Sequence, residues 1–201
     1  MALEGPLPDG IVPHDITLKG EKVVLRPLTE DDWPFLAKWG RDPEVLWFTE
    51  GDDVAEYSLE DIQGIFRSVS RTAFCFVIEH GGRPIGEGWL QRMNIKAISD
   101  RHPGMDLRRI DLSIGEKELW GKGLGGEAIA LLTRFGFEGE KADAIFGLVG
   151  GQNRRSVRAF MGQGYAVSRV TEEPYPATKS RFHYELVLWR GDWKGAPGTR
   201  V

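Results

Sequence analysis

The chain has 201 residues, 41% of them hydrophobic and 28% charged. That is enough apolar material for one core, in too short a chain for two ordinary domains. The net charge of −4 argues against a general nucleic-acid binder, and no apolar run nears the ~18 residues of a membrane-spanning helix. The single cysteine, Cys75, lies in the apolar run AFCFVIE, which excludes an intrachain disulfide and a cysteine-based metal site and suits a small buried hydrophobe.

Residues 1–15, with Pro6, Pro8 and Pro13, read as an N-terminal extension. They lack the basic and apolar regions of a signal peptide, so the expected location is the cytoplasm. A single domain is expected over residues 16–190, with a C-terminal tail at 191–201. Ile16 to Leu28 reads as a β-hairpin or bent strand with Gly20 at its turn. Thr29 followed by Asp32, and Ser58 followed by Asp61, each predict a helix start closed by a capping box. Between Asp42 and Phe66 lie eight acids and no Lys or Arg. Such a window suits a cationic small molecule as well as it suits a solvated helix and loop.

Strands are expected at 73–80 and 83–92, joined through the glycine-rich segment from His80 to Arg83. A polar loop with Asp100, His102, Pro103 and Gly104 leads to a strand near 107–114. A glycine-rich turn follows, then a helix carrying Leu124, Ala128, Leu131, Leu132 and Phe135 at helical spacing. The strand AIFGLV, a helix from Asn153, and strands at 165–171 and 182–189 complete an α/β sandwich. His14, His80, His102 and His183 show no metal-ligand spacing, and no metal site is expected.

Chemistry concentrates between the 107–114 strand and the longest helix. Gly121, Gly123, Gly125 and Gly126 fall where bare backbone N–H groups and a helix N-terminus make a cradle for an anion, here a pyrophosphate. The spacing fits neither a dinucleotide turn nor a triphosphate loop, because Lys122 is followed by Gly123 rather than Ser or Thr.

The segment WGKGLGGEA (120–128) resembles motif A of the GNAT acetyltransferases, generally Gln/Arg-x-x-Gly-x-Gly/Ala, with Trp120 in place of Gln or Arg. QNRRSVRAFMGQGY (152–165) resembles the later motif of that family, Asn-x-x-Ser/Ala with a helix and Gly-Phe/Tyr. The Trp-Gly-Lys-Gly version resembles the branch of ribosomal-protein N-terminal acetyltransferases. The resemblance implies a mixed, mostly antiparallel sheet with helices on both faces, and acetyl-CoA as co-substrate. The pantetheine arm would run along Leu112, Ser113 and Ile114, and the pyrophosphate would sit on Trp120, Gly121, Lys122, Gly123, Leu124, Gly125 and Gly126. Asn153 is expected to touch the cofactor arm or to cap its helix, and Arg158 or Arg154 to meet the 3′-phosphate.

Three further segments, EVLW (44–47), GRPIG (82–86) and RID (109–111), resemble the aminoglycoside 6′-N-acetyltransferases. In that group an aspartate matching Asp111 sits beside the attacking amine. Strand alternation puts Arg109, Asp111 and Ser113 on one face, so Asp111 is the expected catalytic base or else a simple partner of Arg109. Trp47 and Trp89 are expected to wall the acceptor site, and Glu87 to face it. Phe160 stands where part of the family has a proton-donating tyrosine. The expected reaction is acetylation of a primary amine on a small polycation, foremost the 6′-amine of an aminoglycoside, with no nucleic acid or membrane partner. Protein N-terminal acetylation and a noncatalytic acetyl-CoA-binding module are the alternatives. The oligomeric state is open.

Overall fold

The computed structural model describes residues 10–51, 56–172 and 182–195. In these residues the strands are β1 (Leu18–Lys19), β2 (Val24–Pro27), β3 (Ala73–His80), β4 (Arg83–Arg92), β5 (Leu107–Ile114), β6 (Ala144–Gly150), β7 (Ala166–Thr171) and β8 (His183–Trp189). They form one sheet in the order β1-β2-β3-β4-β5-β6-β8-β7. Every neighbouring pair is antiparallel except β5 and β6. The helices are α1 (Trp33–Trp39), α2 (Pro43–Thr49), α3 (Leu59–Val69), α4 (Lys96–Ser99), α5 (Leu124–Arg134) and α6 (Arg154–Gly162). The mixed sheet and the helices on both of its faces are as expected.

Strand alternation sorts the core. On β3, Phe76 and Ile78 point to one face and Cys75 and Val77 to the other, and all four are buried, so the run reads as continuously apolar. The first face packs on α5 and α6 through Leu124, Ala128, Ile129, Leu132 and Phe160. The second packs on α1 and α3 through Trp33, Leu36, Trp39, Ile62 and Phe66. Burial pushes the Cys75 thiol up to about 12, in keeping with a packing residue.

The helix starts follow local chemistry. Ser58 Oγ accepts from the Asp61 N–H while Asp61 Oδ2 accepts from the Ser58 N–H, at 3.1 and 3.0 Å, a reciprocal cap. Asp32 likewise accepts from the Thr29 N–H at 2.9 Å, though the first turn it opens is 3-10, at Glu30–Asp32, ahead of α1. Asp32 also takes two bonds from Arg26, at 2.7 and 2.9 Å, which ties α1 to β2.

Two helices were not foreseen, α2 and α4. The signal for α2 was present in Asp42-Pro43: Asp42 Oδ1 accepts from the N–H groups of Glu44 and Val45, and Pro43 occupies the position where its missing N–H costs nothing. The helix expected to carry Phe135 is α-helical to Arg134 and passes there into a π-turn, Phe135–Gly139. Both presumed tails are anchored where they are described. His14 bonds the Cys75 carbonyl at 2.8 Å and lies edge-on to Phe76, and the Trp193 ring sits 5.2 Å from Phe137.

Gly147 of β6 shows how tightly the face under α6 is packed. A Cβ there would lie 2.6 Å from Cε1 and Cζ of Phe160, so the buried ring would have to move. Gly147→Ala is expected to cost about 1–3 kcal/mol, read as a lower urea midpoint with an unchanged slope.

Candidate active site

The site begins at a fork in the sheet. The parallel ladder between β5 and β6 runs from Leu107↔Ala144 to Ile110↔Gly147 and stops, although β5 continues to Ile114 and β6 to Gly150. Beyond Ile110 the facing edges of the two strands diverge, leaving backbone groups free for an extended amide chain. A cavity of about 520 Å³ opens at this fork.

The glycine-rich loop forms one wall. Gly121 and Gly123 have φ of +77° and +82°, values that other residues adopt only under strain, and the loop thereby turns sharply into α5. Among the described residues no side chain caps the first turn of α5, so its N–H groups stay available to an anion. The cavity is lined by Leu112, Ser113 and Ile114 of β5. It is also lined by Trp120, Gly121, Gly123, Leu124, Gly125 and Gly126 of the loop and α5, and by Asn153 and Arg158 of α6. Lys122 is exposed and is not among the lining residues. A positive group the sequence did not suggest stands nearby instead: a Cβ on Gly123 would lie 3.8 Å from Lys22 Nζ.

Residues of α2 complete the cavity and were missed. Phe48 and Thr49 line it, whereas Trp47 lies on the outer side of α2, 41% exposed, so Phe48 rather than Trp47 is the aromatic that α2 offers to the cavity. The Arg155 guanidinium sits over both the Phe48 and Trp120 rings, 4.1 and 3.9 Å from their centroids. Asn153 Oδ1 caps α6 by accepting from the Ser156 N–H at 3.0 Å, and its Nδ2 donates to the Phe48 carbonyl at 3.0 Å. The capping alternative for Asn153 is therefore realised, and the same side chain clasps α2 to α6 at the cavity wall. Trp120 Nε1 donates to the Ile114 carbonyl at 2.6 Å, which accounts for an indole at this loop position.

The residues expected at the acceptor site lie on β4 and β5, where Trp89 pairs with Asp111 and Glu87 with Ser113, and the Trp89 ring packs with the α1–α3 side of the core. Directly opposed residues share a face; Ser113 lines the cavity, whereas Glu87, Trp89 and Asp111 are not among its lining residues. Asp111 Oδ2 accepts from Arg109 Nε at 2.5 Å. The rest of that guanidinium is held by Asn94 and Gln91, at 3.0 and 3.2 Å. Burial, then the nearby charges of Asp111 and Glu50, push the Glu87 carboxyl up to about 8. Glu50, at the end of α2, is also pushed up by burial, although the Tyr57 hydroxyl bonds to it. Glu50 went unnoticed among the acids of its window because only the tertiary fold carries it to β4 and β5.

Trp89 does not form a free wall. Its ring lies edge-on to Phe66, 5.7 Å away, within the α1–α3 core. Its Nε1 and the Oε2 of Glu87 are buried and have no hydrogen-bond partner among the described residues. Phe160 is core, edge-on to Tyr165 at 5.0 Å, and the Tyr165 hydroxyl bonds Thr133 at 2.7 Å, so neither ring presents an acid to the cavity. The acidic window is partly neutralised: Lys117 pairs with Asp42 and Glu44 at 2.9 and 3.3 Å. Asp52 and Asp53 of that window lie outside the described residues.

The comparisons agree with this geometry. The acetyltransferase (GNAT) domain family matches residues 22–166. An N-acetyltransferase 9-like protein of Nematostella vectensis is 20% identical over 156 residues, 75% of this chain and 78% of that one. The structure of AAC(6′)-Ib in complex with ribostamycin and coenzyme A superposes with a TM-score of 0.68 at 20% identity, covering 86% of this chain and 96% of that one. Spermidine N-acetyltransferase of Vibrio cholerae, in complex with CoA and spermine, gives 0.70 at 15% identity, covering 86% and 98%. With the forked sheet, the glycine cradle and the domain match in agreement, the chain belongs to the GNAT acetyltransferase family and is an acetyl-CoA-dependent N-acetyltransferase.

Proposed function

We propose that the acceptor is a primary amine on a small polycation, foremost the 6′-amine of an aminoglycoside. The observation that carries this reading is the group of three carboxylates, Glu50, Glu87 and Asp111, near enough to one another to interact, with Glu87 paired across the strands to Ser113 of the cavity wall. Arg109 compensates one of them, so the group retains an attraction for ammonium. The fork fits the extended amide chain of acetyl-CoA, and the glycine cradle fits its pyrophosphate. Once bound, acetyl-CoA supplies an activated acyl group. Asp111, ion-paired with Arg109, orients the incoming ammonium and accepts its proton directly or through water.

A thiol-release assay with acetyl-CoA tests this against kanamycin, spermidine and short peptides. Kanamycin is the expected best acceptor, and a panel in which peptide N-termini alone are acetylated would move the reading to protein acetylation. Absence of thiol release with every amine, despite acetyl-CoA binding, would favour the noncatalytic module. Because charge recruits the acceptor, raising salt is expected to raise the apparent KM for kanamycin while kcat changes little, since screening acts over about 8 Å at physiological ionic strength. An apparent KM indifferent to salt would remove the electrostatic argument.

A further inference from the structure

The acceptor face holds more negative charge than it balances. Near Glu87 are the carboxylates of Asp111 on β5 and Glu50 at the end of α2, and the Cys75 thiol of β3; Arg109 pairs with Asp111, and Tyr57 bonds Glu50. Among these and the other described residues the compensating cation is Arg109, and its three hydrogen-bond arms go to Asp111, Asn94 and Gln91. None reaches Glu87, whose Oε2 is buried and unpartnered. A carboxylate with one oxygen buried and unpartnered, next to two others, is far costlier than the neutral acid. The orphaned Trp89 Nε1, two residues along on the same face, marks a second polar group that a ligand would have to satisfy.

We propose that Glu87 is the proton-bearing member of the acceptor site, and that an entering ammonium group displaces that proton. The inference rests on the reading of this face as the acceptor site and goes further in making acceptor binding and proton release one event. The exchange balances simply: the Glu87 carboxylic acid loses H⁺ to solvent, and its carboxylate then faces the R–NH₃⁺ group. The empty site avoids three adjacent charges, and the full site gains an ion pair in their place. Neutral groups gain nothing by the exchange, so the site discriminates by charge and not by size alone.

The direction of the pH effect follows. Glu87 keeps its proton in the free enzyme until pH rises through about 8, and a bound ammonium lowers that value. The acceptor therefore binds more tightly as pH rises, with a gain of about tenfold between pH 7 and 9 for an amine that stays protonated. Acetyl-CoA affinity does not share this dependence.

Difference infrared spectroscopy on the intact enzyme reads the proton directly. At pH 7 wild type is expected to show a protonated-carboxyl band that Glu87→Gln lacks, and saturating kanamycin is expected to abolish it. In parallel, the acceptor KM of Glu87→Gln should stay high and lose the rise in affinity with pH, with acetyl-CoA affinity kept. A wild-type spectrum without a Glu87-dependent band at pH 7 overturns the proposal, as does a band that survives kanamycin bound by calorimetry. If kanamycin does not bind, spermidine and a peptide N-terminus are added in turn. Loss of the band with one of these keeps the proton displacement and rejects the aminoglycoside reading, and persistence with every amine rejects the displacement itself.

Discussion

Asp111→Asn is expected to lower turnover by roughly 10²-fold or more, the scale of a lost general base, with acetyl-CoA affinity near that of the parent. The substitution keeps size and hydrogen bonding but removes the charge that Arg109 holds at 2.5 Å. The fold should survive, because Arg109 remains bonded to Asn94 and Gln91. A second signature separates a lost base from a distorted site. Asp111 is one of the charges that keep the Glu87 proton in place, so its removal should let Glu87 ionise at lower pH and shift the acceptor KM profile in that direction. Steady-state kinetics from pH 6 to 9 check both effects. Parental turnover at neutral pH would leave Asp111 a partner of Arg109 and nothing more.

Gly125→Val is expected to abolish measurable acetyl-CoA binding in calorimetry while the protein stays folded. Gly125 lies in the first turn of α5 and lines the cavity. A Cβ there would meet Ile114 Cγ1 at 3.6 Å and Leu112 Cδ1 at 3.8 Å, ordinary contacts that strain nothing. The branched methyl groups beyond it would occupy the approach of the pyrophosphate to the helix amides. Its φ is not positive, which makes it a cleaner test than Gly123, where any side chain is strained whatever the space. Unchanged circular dichroism with unchanged affinity would remove the cradle assignment.

Much of this was legible in the chain. β3, β4 and β5 carry apolar or alternating runs bounded by glycine and polar turns, and each starts and ends where the pattern places it. The capping boxes at Thr29 and Ser58 needed three residues' spacing and no tertiary context. The cradle was legible because glycine in such a loop records a backbone requirement. What failed to show depended on distant partners. Eight acids in one window obscured the cap and proline that start α2, and charge counting could not tell that Lys117 would neutralise Asp42 and Glu44 while Glu50 turned inward. Trp47 and Phe48 are adjacent in sequence, and only the packing of α2 on α6 decides which of them meets the cavity. Trp89 reads as a wall of the acceptor site, but Phe66 of α3 packs edge-on against its ring, which turns an expected open wall into packed indole.

The forked sheet bears as well on how the chain assembles. β3 through β5 pair antiparallel in sequence order, joined by the short connections 81–82 and 93–106. The join of β5 to β6 rests on four residue pairs and spans the whole segment carrying α5, as a parallel crossover must. The fork is thus the seam between two antiparallel parts of one sheet, one ending at β5 and the other beginning at β6. The donor groove belongs to neither part alone and is complete only when both have folded.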